Sequence, residues 1–256
     1  MQTELTQVKE AAYTEQLMTV RKLYHPPRKT DVKASIDACL MNAERLLDDA
    51  MQLEFREHGG TRLAICMLAQ EEYAKAFLLY LVQEELVPWD SDLLRAIRNH
   101  ACKHLAAIVM EYIEPEWTTI DEFRMITRAE YDLDGRFPPR VSSALNILYH
   151  EKIRRGYFSH DNDYEADVLA VALGERDRVK QNAIHIDLDK SCRVKNTPSD
   201  VTREDAQVEY ERARRYASIV NKLVGSKAFE GVQLQKLKEA AKIVFWQKYT
   251  PRDSGT

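Results

Sequence analysis

The chain is poor in the residues that interrupt secondary structure. Its 256 residues include only 8 glycines and 8 prolines. A β-sandwich or barrel changes direction about every 8 to 12 residues, and so few turn-forming residues do not support that pattern. With 45% apolar and 30% charged residues, the chain is otherwise typical of a folded globular protein. These numbers predict an all-α, mainly helical protein.

Cysteine and long uncharged stretches are also scarce. The four cysteines form no Cys-x-x-Cys pair, which argues against a disulfide framework or zinc knuckle: Cys39, Cys66, Cys102 and Cys192. No uncharged stretch approaches the roughly 18 residues that a membrane helix needs, and the first twenty residues lack the apolar segment of a signal peptide. We therefore expect a cytoplasmic protein with reduced thiols and no contact with a membrane.

An excess of positive charge is missing as well. The 37 basic and 41 acidic residues give a formal net charge of -4, so any contact with nucleic acid must use a local basic patch. The sequence contains no Walker loop, no dinucleotide-binding glycine motif and no nucleophile elbow. A nucleotide-driven mechanism and a serine hydrolase are therefore not expected.

Apolar residues recur at the three-four spacing of amphipathic helices along most of the chain. One helix is apolar on all sides, as expected of a buried helix. A small β-hairpin is predicted near 183–194, and Thr202 with Asp205 predicts a capping box. The predicted helices cover residues 4–22, 35–57, 62–85, 92–113, 120–131, 141–155, 165–173, 203–223 and 232–249. We divide the chain into an N-terminal helix and linker (1–30), a helical domain (31–224) and a C-terminal helix with tail (225–256).

A first polar cluster lies in the middle of the buried helix, where Glu71, Glu72 and Lys75 interrupt an apolar run. At 100° per residue, Glu72 shares a stripe with apolar residues, so its carboxylate is predicted to point into packing and to need a partner. Lys75 or an arginine of another helix could be that partner of the Glu72 carboxylate. The cluster is either a structural ion network or a functional acid.

A second cluster runs from Glu151 to His160 and combines cations, aromatic side chains and a histidine. Arg155 and His160 would lie 140° apart on an unbroken helix, but Gly156 permits a turn between them. An arginine can grip phosphate oxygens and a histidine can transfer a proton near neutral pH, which suits phosphodiester cleavage. A solvated basic helix end is the structural alternative.

A third cluster, Arg98, His100, Lys103 and His104, falls in the predicted helix 92–113. His100 and His104 could share a helix face like a metal-binding pair. However, Ala101 stands where a zinc protease would carry glutamate, and no third ligand is apparent. No Glu-x-x-His occurs in the chain, which argues against a di-iron bundle. A polar helix face is the expected interpretation, with metal as the alternative.

Two successive helices resemble those of the AbiV-type abortive-infection proteins, which have an "A..LL.DA..L" face followed by an "A.EE.GKA" core. The matching runs are 43–53 and 69–76, with Ala74 where the family usually has glycine. The likeness continues at His100 and Lys103, at residues 152–157 and in the helix that carries Ala206, Ala213 and Ala217, and so covers roughly residues 33–222.

This resemblance implies a HEPN-type helical bundle, a class in which many members are dimeric, metal-independent endoribonucleases. Their signature is an arginine followed four to six residues later by a histidine near the end of a late helix, usually with asparagine after the arginine. Arg155 or Arg154 with His160 fits the spacing, although Arg155 or Gly156 stands at the asparagine position. The rival matches Arg95 to His100 and Arg98 to His104 lie on an earlier helix, and Arg98 is followed by Asn99.

The function that the resemblance implies is an antiphage endoribonuclease without metal or other cofactor. Arg155, His160 and Glu72 would be catalytic in a cleft between two copies of the chain. RNA would be bound by Arg154, Lys152, Lys75 and Tyr157. Beyond RNA and a second copy, a phage activator or an antitoxin is a possible partner. The alternative function is a helical module without activity that binds a phage or host protein.

Overall fold

The structure is a computed structural model that describes residues 24–113, 138–148, 164–225, 235 and 238–240. These residues form an α-helical bundle with one very small sheet, which confirms the predicted fold class. The predicted helices 4–22 and 120–131, most of 232–249 and the part of 141–155 after residue 148 lie outside the described residues. Among the described ranges, no helix combines the length and apolarity needed to cross a bilayer.

The first two helices form the main packing pair of the bundle. Helix α1, Lys29–Gln52, begins earlier than predicted because its apolar face starts at Val32, and Asp31 in its first turn favours the helix N-terminus. Helix α2, Gly60–Gln83, is buried on nearly every side, as predicted, and packs closely along α1. Its N-cap is Gly59.

The predicted helix 92–113 is wrong in one respect, since the structure contains two helices there. Helix α3 is Ser91–Arg98 and helix α4 is His100–Ile113, with Asn99 in an extended conformation between them. The Asn99 side chain accepts a hydrogen bond from the Cys102 amide at 3.0 Å and so caps α4. The cap of α3 is the buried Asp90, which accepts from the amides of Asp92 and Leu93.

The next helices are short. Helix α5 is Pro139–Asn146 and begins two residues before the predicted helix 141–155. Helix α6, Ala166–Ala172, confirms the predicted helix 165–173. Helix α7, Glu175–Asn182, was not predicted, because Val179 is the single apolar residue in its eight positions. Gly174, at φ 89°, lets the chain turn sharply between α6 and α7.

The hairpin lies near the predicted range, but its first strand begins only at Asp187, whereas the last described helix follows the prediction closely. Strand β1, Asp187–Leu188, pairs antiparallel with strand β2, Val194–Asn196, and the second strand lies slightly later than predicted. A 3₁₀ turn, Pro198–Asp200, leads to helix α8, Arg203–Val224, which begins with the predicted Thr202–Asp205 capping box. Helix α2 packs against α1, α4, α7 and α8, so its side chains form the centre of the bundle.

Candidate functional site

The structure gathers one charged cluster at the centre of the bundle, between α2, α4 and α7. Its central group is Glu71 of α2, whose side chain is only 2% exposed. Glu71 Oε2 accepts a hydrogen bond from Lys103 Nζ at 2.5 Å, and Oε1 accepts one from Lys180 Nζ at 2.5 Å. Both lysine side chains are buried as well. A buried carboxylate is tolerated only with such partners, and here each oxygen has an ammonium of its own.

The two lysines keep Glu71 ionised. Burial alone would raise the pKa of this carboxyl, but the hydrogen bonds and charges of Lys103 and Lys180 outweigh burial and lower it to about 2. The pKa of Lys180 is in turn raised above its ordinary value, because Asp177 and Glu71 outweigh the effect of burial. Glu71 is therefore ionised at neutral pH.

His100 joins this cluster to the surface. Its Nδ1 lies 2.6 Å from Glu71 Oε2, while its side chain is 46% exposed. Lys180 Nζ is 3.2 Å from the same Nδ1. An unprotonated Nδ1 would direct its lone pair at a carboxylate oxygen 2.6 Å away. We therefore infer that Nδ1 carries a proton and donates a hydrogen bond to Glu71. Nε2 is then the nitrogen that can exchange a proton with a group outside the cluster.

His104 lies behind this cluster and is buried, with 5% of its side chain exposed. Its Nε2 is 3.8 Å from Glu71 Oε1 and has no hydrogen-bond partner among the described residues. Burial, reinforced by the charge of Arg176, lowers the pKa of His104 to about 4. His104 is therefore neutral at physiological pH. The rival match of Arg98 to His104 joins an exposed arginine to a buried histidine.

The residues that could hold a metal ion in the structure differ from the predicted pair, His100 and His104. Ligand atoms of Glu71, His100 and Asp177 lie within 4.8 Å of one another, so the histidine that could join a metal site is His100 and the other ligands come from α2 and α7. Lys180 Nζ lies 2.8 Å from Asp177 and also contacts Glu71 and His100. An ammonium thus already holds the position of a cation.

The predicted burial of Glu72 is wrong. Its side chain is 18% exposed and lies on the same stripe as Leu68, which is 38% exposed, so this is the most solvent-accessible side of α2. The inward carboxylate is its neighbour Glu71. The predicted partner is confirmed, since Lys75 Nζ donates to Glu72 Oε1 at 2.6 Å. A catalytic role for Glu72 stays a prediction.

A second buried network lies beside the first on α2, α7 and α8. Glu209 accepts hydrogen bonds from Arg176, from Gln70 at 2.8 Å and from Arg212 at 2.7 Å. Burial would raise the pKa of Glu209, but Arg176 in particular lowers it to about 2. Neither Glu209 nor Arg176 was predicted, because both stand in strongly polar helices where a single inward charge has no recognisable pattern.

The sequence-predicted catalytic pair cannot be placed beside these networks. Arg155 and His160 lie outside the described residues, as do Lys152, Arg154 and Tyr157. Of the third cluster, His100, Lys103 and His104 meet at Glu71. Arg98 ends α3 on the surface next to Asn99, and Arg95 is paired with Asp92 at 3.1 Å.

The buried, neutral His104 should make the stability of the protein sensitive to acid. His104 is neutral in the fold with a pKa of about 4, below the ordinary imidazole value of 6.5, so its contribution to stability is present above pH 6.5 and is lost as pH falls through 4. We expect His104→Gln to remove about 3 kcal/mol of this pH dependence between pH 7.5 and 4. Urea unfolding of both proteins across that range measures it. His185→Gln, at an exposed histidine, should leave the slope unchanged.

The structure defines the class of the protein as an all-α helical bundle with a charged centre on its second helix. A family model described as AbiV, of the HEPN_AbiV type, matches residues 31–218. The chain therefore belongs to the AbiV family, and the resemblance predicted from its sequence is confirmed. Membership indicates an abortive-infection, HEPN-type function. The comparisons with curated proteins and with solved structures found no match.

Proposed function

We propose that this AbiV-family protein is an antiphage endoribonuclease that cleaves RNA without a metal ion, in a cleft between two copies of the chain. The observation that carries the proposal is the family match over residues 31–218, because this range includes Arg155 and His160. Their spacing, an arginine and a histidine separated by four residues, is the one expected of a HEPN nuclease. Arg154 fits the same motif with five intervening residues.

The chemistry follows from the two side chains. Arg155 would bind the scissile phosphate and stabilise its developing charge, and His160 would accept the proton of the RNA 2′-hydroxyl. The 2′ oxygen then forms a bond to phosphorus while the bond from phosphorus to the 5′ oxygen breaks. A second acid–base group or water supplies the proton that the 5′ oxygen gains. The products are a 2′,3′-cyclic phosphate and a free 5′-hydroxyl.

Other polar residues are assigned to RNA contact in this proposal. Lys152, Arg154 and Tyr157 accompany the motif in the sequence. The ion pair of Glu72 and Lys75 lies on the accessible stripe of α2, where it is available to a neighbouring chain or to RNA. Contacts of this kind are mainly to phosphate, so binding should weaken as the salt concentration rises.

Substitution of the motif tests the proposal. We expect Arg155→Ala and His160→Ala each to reduce RNA cleavage in phage-infected cells by about 100-fold or more, since proton transfer alone contributes about that much. The exposed residues Arg214 and His185 offer matched controls, whose alanine variants should cleave as the wild type does.

Mapping of RNA ends should show cyclic phosphates, and EDTA should not inhibit the purified protein. Equilibrium sedimentation at micromolar concentration should show a dimer.

A specific observation favours a second candidate function, the binding of a phage or host protein. The hairpin region exposes four large aliphatic side chains, Ile184, Ile186, Leu188 and Val194. Exposed apolar residues that lie close together often mark a protein contact. If wild-type protein protects cells without cleaving RNA, and His160→Ala protects equally well, binding replaces cleavage as the proposed function.

A further inference from the structure

We propose that His100, held by Glu71, is a second acid–base residue of this protein and transfers a proton during cleavage of an RNA phosphodiester. The inference rests on the proposed ribonuclease function, but it concerns another helix and another histidine. It begins from the contact between a buried carboxylate and a half-exposed imidazole, 2.6 Å apart.

The carboxylate that holds the imidazole is itself fixed. Both oxygens of Glu71 accept hydrogen bonds from buried ammoniums, one from α4 and one from α7. Rotation of the carboxylate would break both bonds at once inside the bundle, where no solvent replaces them. His100 Nδ1 therefore has a rigid acceptor, which sets the orientation and the tautomer of the ring.

The same geometry directs the chemistry outward. With Nδ1 bound to Glu71, Nε2 is the nitrogen of the exposed ring that can meet a substrate. A carboxylate behind an imidazole stabilises the protonated ring, as in the acid–base pairs of hydrolases. A purely structural histidine in the same network would need no such exposure.

Charges of both signs surround His100. The groups that face the cluster are Glu71 from α2, Lys103 from α4, and Asp177 and Lys180 from α7. Two carboxylates and two ammoniums balance one another, so the groups that face the ring carry no excess of positive charge. The buried His104 adds no charge, because its pKa is about 4.

The surroundings of His100 also suit a phosphate group. His100 is the first residue of α4, a helix of 14 residues, and helix N-termini favour anions. Arg98 is exposed two residues earlier, at the end of α3, and a guanidinium is the side chain best fitted to phosphate oxygens. These features support the substrate class, while the bond between Glu71 and His100 carries the proposal.

In the proposed step, His100 Nε2 donates its proton to the 5′ oxygen as the bond from that oxygen to phosphorus breaks. The 2′ oxygen forms the new bond to phosphorus, and its proton passes to a second base, the role assigned above to His160. His100 regains a proton from water after the products leave. Atoms and charges balance with RNA and water alone.

The test compares His100→Ala with His185→Ala, an exposed histidine elsewhere, in RNA cleavage by cells during infection and by the purified full-length protein. We expect His100→Ala to reduce cleavage by about 100-fold with the fold intact, and added imidazole to restore part of the activity. His185→Ala should match the wild type. A ¹⁵N spectrum of the wild-type protein should show His100 protonated at Nδ1.

The outcomes separate this inference from the proposed function. If His100→Ala cleaves RNA like the wild type while His160→Ala does not, the role of His100 is overturned and the ribonuclease stands. Loss of activity without rescue by imidazole, together with a ring that carries no proton on Nδ1, would make His100 a structural residue and also overturn the inference. If the wild type cleaves no RNA in infected, protected cells, both proposals fail. If His160→Ala keeps full activity while His100→Ala loses it, the active site belongs to His100.

Discussion

Glutamine in place of Glu71 is expected to lower the free energy of unfolding by about 3 to 5 kcal/mol. The substitution removes the one charge that both Lys103 and Lys180 contact inside the bundle. Lys103 then loses its counter-ion and Lys180 keeps only Asp177, and the cost of an unpaired buried charge exceeds the cost of the lost hydrogen bonds. Urea unfolding at pH 7, followed by circular dichroism, measures the change.

The neighbouring glutamate is a matched control for this experiment. Glu72 is on the same helix and pairs with Lys75 at 2.6 Å, but the pair is partly exposed to solvent. Glu72→Gln should therefore cost less than about 1 kcal/mol. Further substitution of Lys103 and Lys180 by methionine in the Glu71→Gln protein should recover much of the loss, because the two ammoniums that lost Glu71 are no longer present. Equal effects of the two glutamine variants would contradict the assignment of Glu71 as the central anion.

Much of the helical architecture could be predicted because an apolar stripe identifies a helix without knowledge of its neighbours. The face of α1 and the all-round burial of α2 are examples, and the Thr202 capping box marks the start of α8. The break at Asn99 could not be read in this way, since apolar residues continue on both sides of it and one extended residue interrupts the helix.

The choice between Glu71 and Glu72 shows where periodicity stops being informative. On a helix that is apolar on every side, each stripe looks equally suited to the core, and the arrangement of neighbouring helices decides which stripe meets solvent. Helices α4 and α7 approach on the side of Glu71, which leaves Glu72 nearer the surface. The predicted need of a buried carboxylate for cationic partners was sound, but it applied to the adjacent residue.

Lys180 is the member of the cluster that the sequence could not indicate. Its helix reads ERDRVKQN, which is typical of a solvated segment, and the contact with Glu71 spans 109 positions of the chain. Lys103, by contrast, stands in an apolar helix next to two histidines, and this context marked it as a candidate polar site. A single inward lysine on a polar helix becomes visible only when tertiary packing is known.

Alanine in place of Gly60 is expected to destabilise the protein by about 3 kcal/mol or more, although alanine favours helices by about 1 kcal/mol over glycine. In the structure Gly60 is the first residue of α2, and a Cβ there would lie 2.5 Å from the carbonyl oxygen of Ala183 and 2.7 Å from that of Pro198. Both obstacles are backbone atoms, so no side chain can move aside.

The expected damage extends to the charged cluster, because Ala183 directly follows α7 and any displacement there shifts Lys180 relative to Glu71. Gly174→Ala is the control: nothing lies within 4 Å of its Cβ position, and its φ of 89° should cost about 1 to 2 kcal/mol. Thermal and urea unfolding of the two variants should therefore rank Gly60→Ala as the more damaging. A neutral or stabilising Gly60→Ala would mean that α2 does not pass so close to the backbone at Ala183, and the position of α7 beside Glu71 would have to be revised.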